Sequence, residues 1–177
     1  ASTTYPSTYF SKAIDYDGGE YGIATASKYE LTDAKTVNVD STGATEQRVY
    51  QRMVFKKGNY EIAFYNTHLS YETEAIRKKQ MEELKTAIQN DSTPYIIVTG
   101  DFNADQHRSE FNLFLEELDM VNGYQGKWYD TFNGVDETMK VNSVDNILVS
   151  RNLAIEDIEM VETSLSDHNL LLAQVKF

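Results

Sequence analysis

Three polar residues at alternate positions follow an apolar run near the middle of the chain. The run Tyr95–Val98 has the character of a strand that is buried on both faces, and Gly100 then lets the chain turn. Asp101, Asn103 and Asp105 follow directly. Because sites in α/β sheets lie at the carboxyl ends of strands, this segment predicts polar groups that point outward from a rigid base.

Two histidines and two more aspartates stand at the ends of other predicted strands. His68 ends one apolar segment, Asp145 lies in another, and Asp167 directly precedes His168. If these strand ends share one edge of the sheets, they bring together two bases, two or three carboxylates and an amide. Metal-assisted attack of water on phosphorus requires that set of groups. Such chemistry asks the protein mainly for positioning and for neutralisation of charge.

Asp145 most needs a partner among these residues. It lies between Val144 and the apolar run Ile147–Val149, where an ionised carboxylate is costly unless it is paired. A histidine is a natural partner, because a carboxylate bonded to one imidazole nitrogen fixes the tautomer and raises the pKa of the other nitrogen. The sequence therefore predicts a pair between Asp145 and a histidine.

The acidic run after the strand also has a structural interpretation. Asp101, Asn103 and Asp105 have the spacing of the first half of a calcium loop, but Gln106 and Asn112 occupy the positions that need glycine and glutamate. An EF-hand is therefore excluded. A turn in which the acid and the amide bond their own backbone stays open.

The two predicted histidine sites have structural alternatives as well. Ser166, Asp167 and His168 are not a catalytic triad, because triad members meet through the fold and not as neighbours in sequence. A turn with Asp167 as a cap is the alternative there. His68 could be a hydrogen-bonded structural residue, and His107 is assigned no role.

Composition limits the classes of protein to be considered. The chain has 177 residues, no cysteine and a formal net charge of −12. Disulfides and thiolate zinc sites are excluded, and bulk counterion release is not expected to drive nucleic-acid binding. A bound divalent cation could reverse the sign locally, so a nuclease stays open. No run approaches the roughly 18 apolar residues of a membrane span. No signal peptide is visible at the start, and the localisation stays unknown.

The elements that must position these groups are mostly strands. We expect one α/β domain over residues 1–177, with residues 1–18 as a loop and residues 32–47 as a loop with one strand around 37–39. Helices are predicted over Glu72–Gln89 and Ser109–Leu118 from the spacing of their apolar residues. The remaining predicted strands are 21–26, 49–56, 60–67, 95–98, 144–149, 155–161 and 170–177.

The order of the polar motifs resembles that of the endonuclease/exonuclease/phosphatase family, the metal-dependent phosphoesterases that include DNase I. The motifs are Asn66–Leu69, Gly100–Asn103, Ser143–Ser150 and Ser166–Asn169. The resemblance implies a DNase I-like, four-layer α-β-β-α sandwich of two mainly antiparallel or mixed sheets. Relatives begin with an asparagine-bearing strand and a Gln-Glu pair, and neither pattern precedes Tyr21 here. We therefore expect residues 1–177 to be the C-terminal two-thirds of the domain, incomplete at the N-terminus, with weak or no activity as this segment alone.

The resemblance also implies roles for individual residues. His168, paired with Asp145, would activate or orient the attacking water, and which residue is the general base stays open. The implied catalytic residues are His68, Asp101, Asn103, Asp145 and His168. The implied phosphate contacts are Arg48, His68 and Asn103, with Arg52 as a second choice. For Arg48 the alternative is a solvated charge at a strand end. The implied metal ligands are Asp167, Asp101 and Asn103, and the ion is Mg²⁺, with Mn²⁺ or Ca²⁺ as alternatives.

The function expected from these features is hydrolysis of a phosphodiester or phosphomonoester with a divalent cation. Nucleic acid, a phospholipid headgroup and a small molecule all stay open as the substrate, and no protein partner is predicted. One alternative is a non-catalytic relative that acts as a binding module. Another is a calcium-binding structural domain, which the acidity of the chain suggests and the missing loop residues disfavour.

Overall fold

Strands make up most of the regular structure in this computed structural model, which describes residues 4–105, 109–133 and 143–177. The strands of the described residues are β1 (Ser7–Tyr16), β2 (Gly19–Ser27), β3 (Thr32–Asn38), β4 (Val49–Lys57), β5 (Tyr60–His68), β6 (Tyr95–Asp101), β7 (Leu118–Met120), β8 (Asp145–Ser150), β9 (Ala154–Val161) and β10 (Leu170–Lys176). One α-helix, α1 (Glu74–Gln89), connects β5 to β6, and 3-10 turns cover Ser109–Leu113 and Tyr124–Gly126. No helix in this part of the chain has the length and apolar character that a membrane crossing needs.

A six-stranded mixed sheet supports the polar motifs. Its strand order is β3-β4-β5-β6-β8-β7, with β5 and β6 parallel and the other neighbours antiparallel. The apolar run in β6 is buried on both faces: Ile96 and Val98 pack in one core cluster and Ile97 packs in the other. Because β5 and β6 are parallel, their carboxyl ends lie at the same edge of the sheet.

Helix α1 covers one face of this sheet. It begins after Thr73, whose hydroxyl accepts a hydrogen bond from the amide of Ile76, so it starts at Glu74 and not at the predicted Glu72. Met81 and Leu84 are fully buried from its apolar stripe and pack with the strands. The spacing by four thus predicts the buried face of α1 correctly.

Two hairpins cover the opposite face of the sheet, and they are attached in different ways. The hairpin β1–β2 contacts β4 and β5, and the buried Gln51 of β4 donates to the carbonyl oxygens of Tyr9 and Ile23 at 3.1 and 3.0 Å. The hairpin β9–β10 packs through apolar side chains, with Ile158 and Val175 in the cluster around Val149. The helix, sheet and hairpin layers confirm the α/β class and the mixed sheet.

Two predictions of local structure are wrong. Residues 7–16, part of the first predicted loop, form the strand β1, which pairs along its length with β2. Its only buried side chain, Ser11, is held by hydrogen bonds to Thr36 and Gln51, so the strand lacks an apolar signal. The second predicted helix is a 3-10 turn over Ser109–Leu113, followed by β7. The strand expected around 37–39 is longer than predicted, because β3 begins at Thr32.

Candidate active site

Strand register places three of the predicted site residues in one row. His68 of β5 pairs with Asp101 of β6, and Asp101 pairs in turn with Asp145 of β8. Directly opposite residues point to the same face, so the three side chains are neighbours although they are far apart in sequence. They line a groove of about 410 Å³ between β2 and β10.

Gly100 is required for this close arrangement of β5 and β6. Its φ is +155°, and a side-chain Cβ at this position would lie 2.1 Å from the carbonyl oxygen of Thr67. Any other residue would push the two strands apart next to Asp101. The glycine predicted as a turn residue therefore serves close packing of the backbone.

His168 completes the row from a loop before β10. Backbone hydrogen bonds hold the loop on both sides: the amide of Asn133 donates to Asp167, and the amide of Asn169 donates to Thr131. The ring of Phe132 packs edge-on against the imidazole, with centroids 5.2 Å apart. These contacts fix the position of an imidazole that the sequence alone leaves in an irregular segment.

Asp145 and His168 form the predicted carboxylate–histidine pair. The Nδ1 atom of His168 donates to Oδ2 of Asp145 at 2.6 Å. This hydrogen bond raises the pKa of His168 above its ordinary value, and the charges of Asp145, Asp101 and Asp167 add to the effect. The pair leaves Nε2 of His168 on the side of Asp101, 3.8 Å from Oδ2 of that carboxylate.

Asp101 is a largely buried carboxylate with a strongly raised pKa. Burial and the neighbouring charge of Asp145 raise the pKa of Asp101 to about 7, against the opposing effect of the amide of Asn103. A divalent cation would relieve this excess of negative charge. Oxygen and nitrogen ligand atoms of Asp101, Asp145 and His168 lie within 4.8 Å of one another, which makes them a candidate cation site.

His68 has the opposite environment. Nη1 of Arg48 lies 3.3 Å from Nδ1 of His68, and the hydroxyl of Tyr21 lies 3.4 Å from the same atom. A guanidinium can only donate, so Nδ1 accepts and the proton of the neutral ring is on Nε2. Burial and the charges of Arg48 and His168 lower the pKa of His68 to about 4. The Nε2 atom faces Oδ2 of Asp101 at 3.4 Å.

Arg48 is buried and not a solvated surface charge. Its side chain is 4% exposed and pairs with Glu46 at 3.1 Å. Its Nε atom is buried and has no hydrogen-bond partner among the described residues. The solvated alternative for Arg48 is therefore wrong. Arg52, the second choice for the phosphate contact, binds Asp91 instead and lies outside the row.

Asn103 lies beside Asp101 in a left-handed conformation. Its φ is +48°, which asparagine tolerates better than most residues. Its backbone amide donates to Oδ1 of Asp101 at 2.8 Å, and its Nδ2 donates to the carbonyl of Leu69 at 2.9 Å. The turn expected as the structural alternative is thus present. It is compatible with the row, because its hydrogen bonds use Oδ1 of Asp101 and Nδ2 of Asn103 and do not use Oδ2 of Asp101 or Oδ1 of Asn103.

The remaining predicted ligand, Asp167, lies outside the cluster of Asp101, Asp145 and His168. Its side chain is exposed, and Oδ1 is 3.4 Å from the hydroxyl of Ser166. His107 and Gln106 lie outside the described residues. The structure therefore brings together His68, Arg48, Asp101, Asn103, Asp145 and His168.

Three residues that position the row carry no recognisable sequence signal. Tyr21 reaches His68 from the hairpin β1–β2. The buried amide of Asn146, next to Asp145, exchanges hydrogen bonds with the backbone of Asn122 at 3.0 and 2.9 Å. These contacts depend on the tertiary fold. The one indication in the sequence is that Asn146 is next to Asp145, and Tyr21 and Asn122 have no such indication.

Comparisons with family models and with solved structures give the family and the fold. The family model described as the endonuclease/exonuclease/phosphatase family matches residues 2–168. No curated protein matches the chain. Among solved structures, the chain is similar to a functionally unknown conserved protein from Enterococcus faecalis V583, with 20% identity, a TM-score of 0.81, and 98% of this chain and 77% of that chain covered.

Two other solved structures have known activities or ligands in their descriptions. A mannosyl-6-phosphatase from Bacteroides thetaiotaomicron VPI-5482 has 20% identity and a TM-score of 0.72, over 97% of this chain and 78% of that chain. The catalytic domain of human nocturnin, with a bound sulfate anion, has 18% identity and a TM-score of 0.75, over 96% of this chain and 72% of that chain. At these identities the similarity establishes the DNase I-like fold.

Proposed function

Because the chain belongs to the endonuclease/exonuclease/phosphatase family, a superfamily of phosphoesterases, we propose that it hydrolyses a phosphate ester by in-line attack of an activated water, with a divalent cation. One observation carries the proposal: His68, Asp101 and Asp145 form a row across three strands, and His168 closes it. His68, Asp101 and Asp145 line one groove, and His168 contacts this row through Asp145 and Asp101. The set combines an oriented base, a largely buried carboxylate and a neutral donor.

His168 is the residue proposed to take a proton from the attacking water. Asp145 holds the proton on Nδ1, so Nε2 is the nitrogen that can accept one. The same carboxylate stabilises the imidazolium that forms as the water attacks. Asp145 therefore acts through His168 and also contributes to the negative charge at Asp101.

Asp101, together with the side-chain oxygen of Asn103, is proposed to hold the cation, and Asp167 is proposed to contribute from the exposed side. Carboxylate and amide oxygens suit Mg²⁺, and Mn²⁺ and Ca²⁺ take similar ligands. When bound, the cation would neutralise charge on the phosphate and polarise its oxygens. The raised pKa of Asp101 supports this assignment, because burial and the charge of Asp145 disfavour its ionised form, which a bound cation would stabilise.

His68 and Arg48 are proposed to bind the phosphate oxygens. Arg48 keeps Nδ1 of His68 as an acceptor, so Nε2–H is a neutral donor to an oxygen of the phosphate. The lowered pKa of His68 favours this role over protonation of the leaving oxygen. The buried guanidinium of Arg48 supplies fixed positive charge behind the imidazole.

The substrate is proposed to be a phosphate ester of moderate size. The net charge of −12 disfavours long polyanions at low salt. Two proteins of similar fold are described with small anionic groups, one as a mannosyl-6-phosphatase and the other with a bound sulfate, which supports this proposal. Both phosphomonoesters and phosphodiesters are compatible with the row.

The test is hydrolysis of 4-nitrophenyl phosphate and bis(4-nitrophenyl) phosphate with Mg²⁺, Mn²⁺ or Ca²⁺, with a chelator as the blank. We expect chelator-sensitive turnover that falls by about 10²- to 10⁴-fold in His168→Ala. Glu159→Gln, at an exposed position of β9, is the matched control and should keep full activity. Cation binding without turnover of either ester would instead support the non-catalytic alternative.

A further inference from the structure

Two exposed tyrosines flank the turn of the β1–β2 hairpin. Tyr16 ends β1 and is 65% exposed, and Tyr21 in β2 is 38% exposed. Their ring centroids are 6.2 Å apart, and the planes are tilted by 56°. Single exposed aromatic residues are common on proteins, but two adjacent rings next to a cleft form a continuous apolar surface.

One ring of this tyrosine pair lies beside His68, the residue proposed to bind the phosphate. The Tyr21 ring centroid is 6.4 Å from that of His68, and its hydroxyl lies 3.4 Å from Nδ1 of His68. The hairpin is held in place by hydrogen bonds from Gln51 to Tyr9 and Ile23. Tyr21 therefore borders the residue proposed to bind the phosphate, and the more exposed Tyr16 lies next to Tyr21.

Charges at the hairpin turn restrict the kind of alcohol that fits. Asp15, Asp17 and Glu20 surround the tyrosine pair in sequence, and the ammonium of Lys12 compensates Asp15 and Glu20 at 2.6 and 3.5 Å. Carboxylates only accept hydrogen bonds, so they suit hydroxyl donors and repel additional phosphates. A neutral alcohol with several hydroxyl groups matches both the acceptors and the absence of excess positive charge.

We infer that Tyr16 and Tyr21 bind the sugar ring of a phosphorylated sugar, with the phosphate at His68. The C–H groups of a sugar carry partial positive charge and pack on the negative faces of aromatic rings. The tilted rings offer one face and one edge, and Asp17 and Glu20 accept from the sugar hydroxyls. This inference rests on the proposed function, since it names the substrate class of the same site.

The experiment compares three non-hydrolysable phosphonates by isothermal titration calorimetry with Mg²⁺ present. The ligands are a pyranose 6-phosphonate, propyl phosphonate, which has no ring, and a nucleoside 5′-phosphonate. The proteins are the unmodified chain, Tyr16→Ala, Tyr16→Phe and the control Tyr5→Ala. Tyr5 is also an exposed tyrosine, but it precedes the first residue of β1, whereas Tyr16 is the last residue of that strand. Turnover of the corresponding phosphates is measured in parallel.

We expect Tyr16→Ala to weaken binding of the pyranose phosphonate by about 3- to 10-fold, the size of one aromatic contact. Tyr16→Phe keeps the ring and should keep the affinity, and Tyr5→Ala should change nothing. Propyl phosphonate should bind all four proteins equally.

Several results would overturn the sugar assignment. One is equal affinity of the unmodified chain for the pyranose and propyl phosphonates, and another is no binding of any phosphonate. In Tyr16→Ala, an equal loss of affinity for the pyranose and propyl phosphonates, or a loss of affinity for the nucleoside ligand alone, would have the same meaning. Turnover without preference for the sugar would refute this inference and leave the hydrolase proposal standing. Sugar-selective binding without turnover would refute the hydrolase proposal alone.

Discussion

Two polar clusters on the same sheet are built in opposite ways. The anchor cluster ties the end of α1 to the sheet, and its members are Arg52, Tyr65, Asp91 and Thr93. The site cluster lies at the carboxyl ends of β5 and β6, and its members are Arg48, His68, Asp101, Asp145 and His168. Both contain charged groups that are removed from water, and they differ in how far the protein itself compensates those charges.

The anchor cluster is compensated by its own donors. Asp91 accepts from Arg52 at 3.0 and 3.1 Å, from the hydroxyl of Tyr65 at 2.6 Å, and from the amide and hydroxyl of Thr93 at 2.9 and 2.6 Å. Burial acts to raise the pKa of Asp91, but the donors from Arg52, Thr93 and Tyr65 outweigh it and hold that pKa well below its usual range. Such a cluster is complete without a ligand.

The site cluster is left incomplete. Asp101 has a raised pKa and His68 a lowered one, so both neutral forms are favoured in the folded protein. For Asp101 this costs stability at neutral pH, because its carboxyl is ionised in the unfolded chain and its ionised form is disfavoured in the folded protein. The protein thus carries at Asp101 a cost that a bound cation would remove, and avoids such a cost at Asp91.

The largest expected effect comes from Asp101→Asn. The amide keeps the acceptor for the backbone of Asn103 but loses the charge, so we expect hydrolysis to fall by about 10³-fold or more. The free energy of unfolding at pH 8 with a chelator should rise by about 2 to 4 kcal/mol, because the penalty of the ionised carboxylate is removed. Denaturant titration and steady-state kinetics check the two parts. Lower stability at pH 8 would show that Asp101 is compensated like Asp91.

The second effect is a loss of stability, opposite in sign to that of Asp101→Asn, from a substitution in the anchor cluster. Asp91→Ala leaves Arg52 partly buried beside the carboxylate of Asp33 alone and removes the acceptor of Tyr65. We expect a loss of about 3 kcal/mol in the free energy of unfolding. Hydrolysis by the folded fraction should be unchanged.

A matched control for that change is Asp119→Ala. Its carboxylate forms an exposed pair with Arg151 at 3.9 Å, so its removal should cost about 0.5 kcal/mol or less. Equal losses in the free energy of unfolding of Asp91→Ala and Asp119→Ala would mean that burial of the anchor cluster contributes little to stability.

Only part of this contrast can be predicted from the sequence. The strand ends and α1 follow from apolar patterns, and Asp145 predicts its own partner because a carboxylate in an apolar strand needs one. The sequence does not separate Arg48 from Arg52, which lie on the same strand region. Their roles depend on whether His68 or Asp91 lies within reach, and that distance is set by register and by the loop after α1.

The strand β1 was missed for a related reason. Its buried contact is Ser11 with Thr36 and Gln51, so hydrogen bonds replace the apolar alternation that predicts a strand. The sequence also does not predict Tyr21 as a site residue, because it predicts β2 but not β1, the other strand of the hairpin that carries Tyr21 to His68. The sequence also does not predict that the pKa of Asp91 is lowered and that of Asp101 is raised, because these shifts depend on burial and on the donors that surround each carboxylate.

The smallest expected effect is a difference in pH dependence between the two clusters. Asp91 has a lowered folded pKa, so its stabilisation is present above its unfolded value near 3.8 and is lost as pH falls through the folded pKa. Asp101 has a folded pKa of about 7, above its unfolded value, so the folded protein binds more protons and stability falls as pH rises from about 4 to 7.

The measurement is the free energy of unfolding between pH 3 and 8 with a chelator present. The gap between the unmodified chain and Asp91→Ala should narrow below about pH 4. The gap to Asp101→Asn should widen from about pH 4 to 7 and then level off. Parallel curves for both variants would remove the distinction between the clusters.

We propose that a cation and a phosphate complete the site cluster. Anomalous scattering from Mn²⁺ in crystals grown with phosphate would locate both groups. We expect a peak within about 2.0 to 2.6 Å of a carboxylate oxygen of Asp101, with phosphate oxygens at His68 and Arg48. Mn²⁺ bound only at exposed acidic residues, with the row unchanged and no anion beside His68, would contradict it.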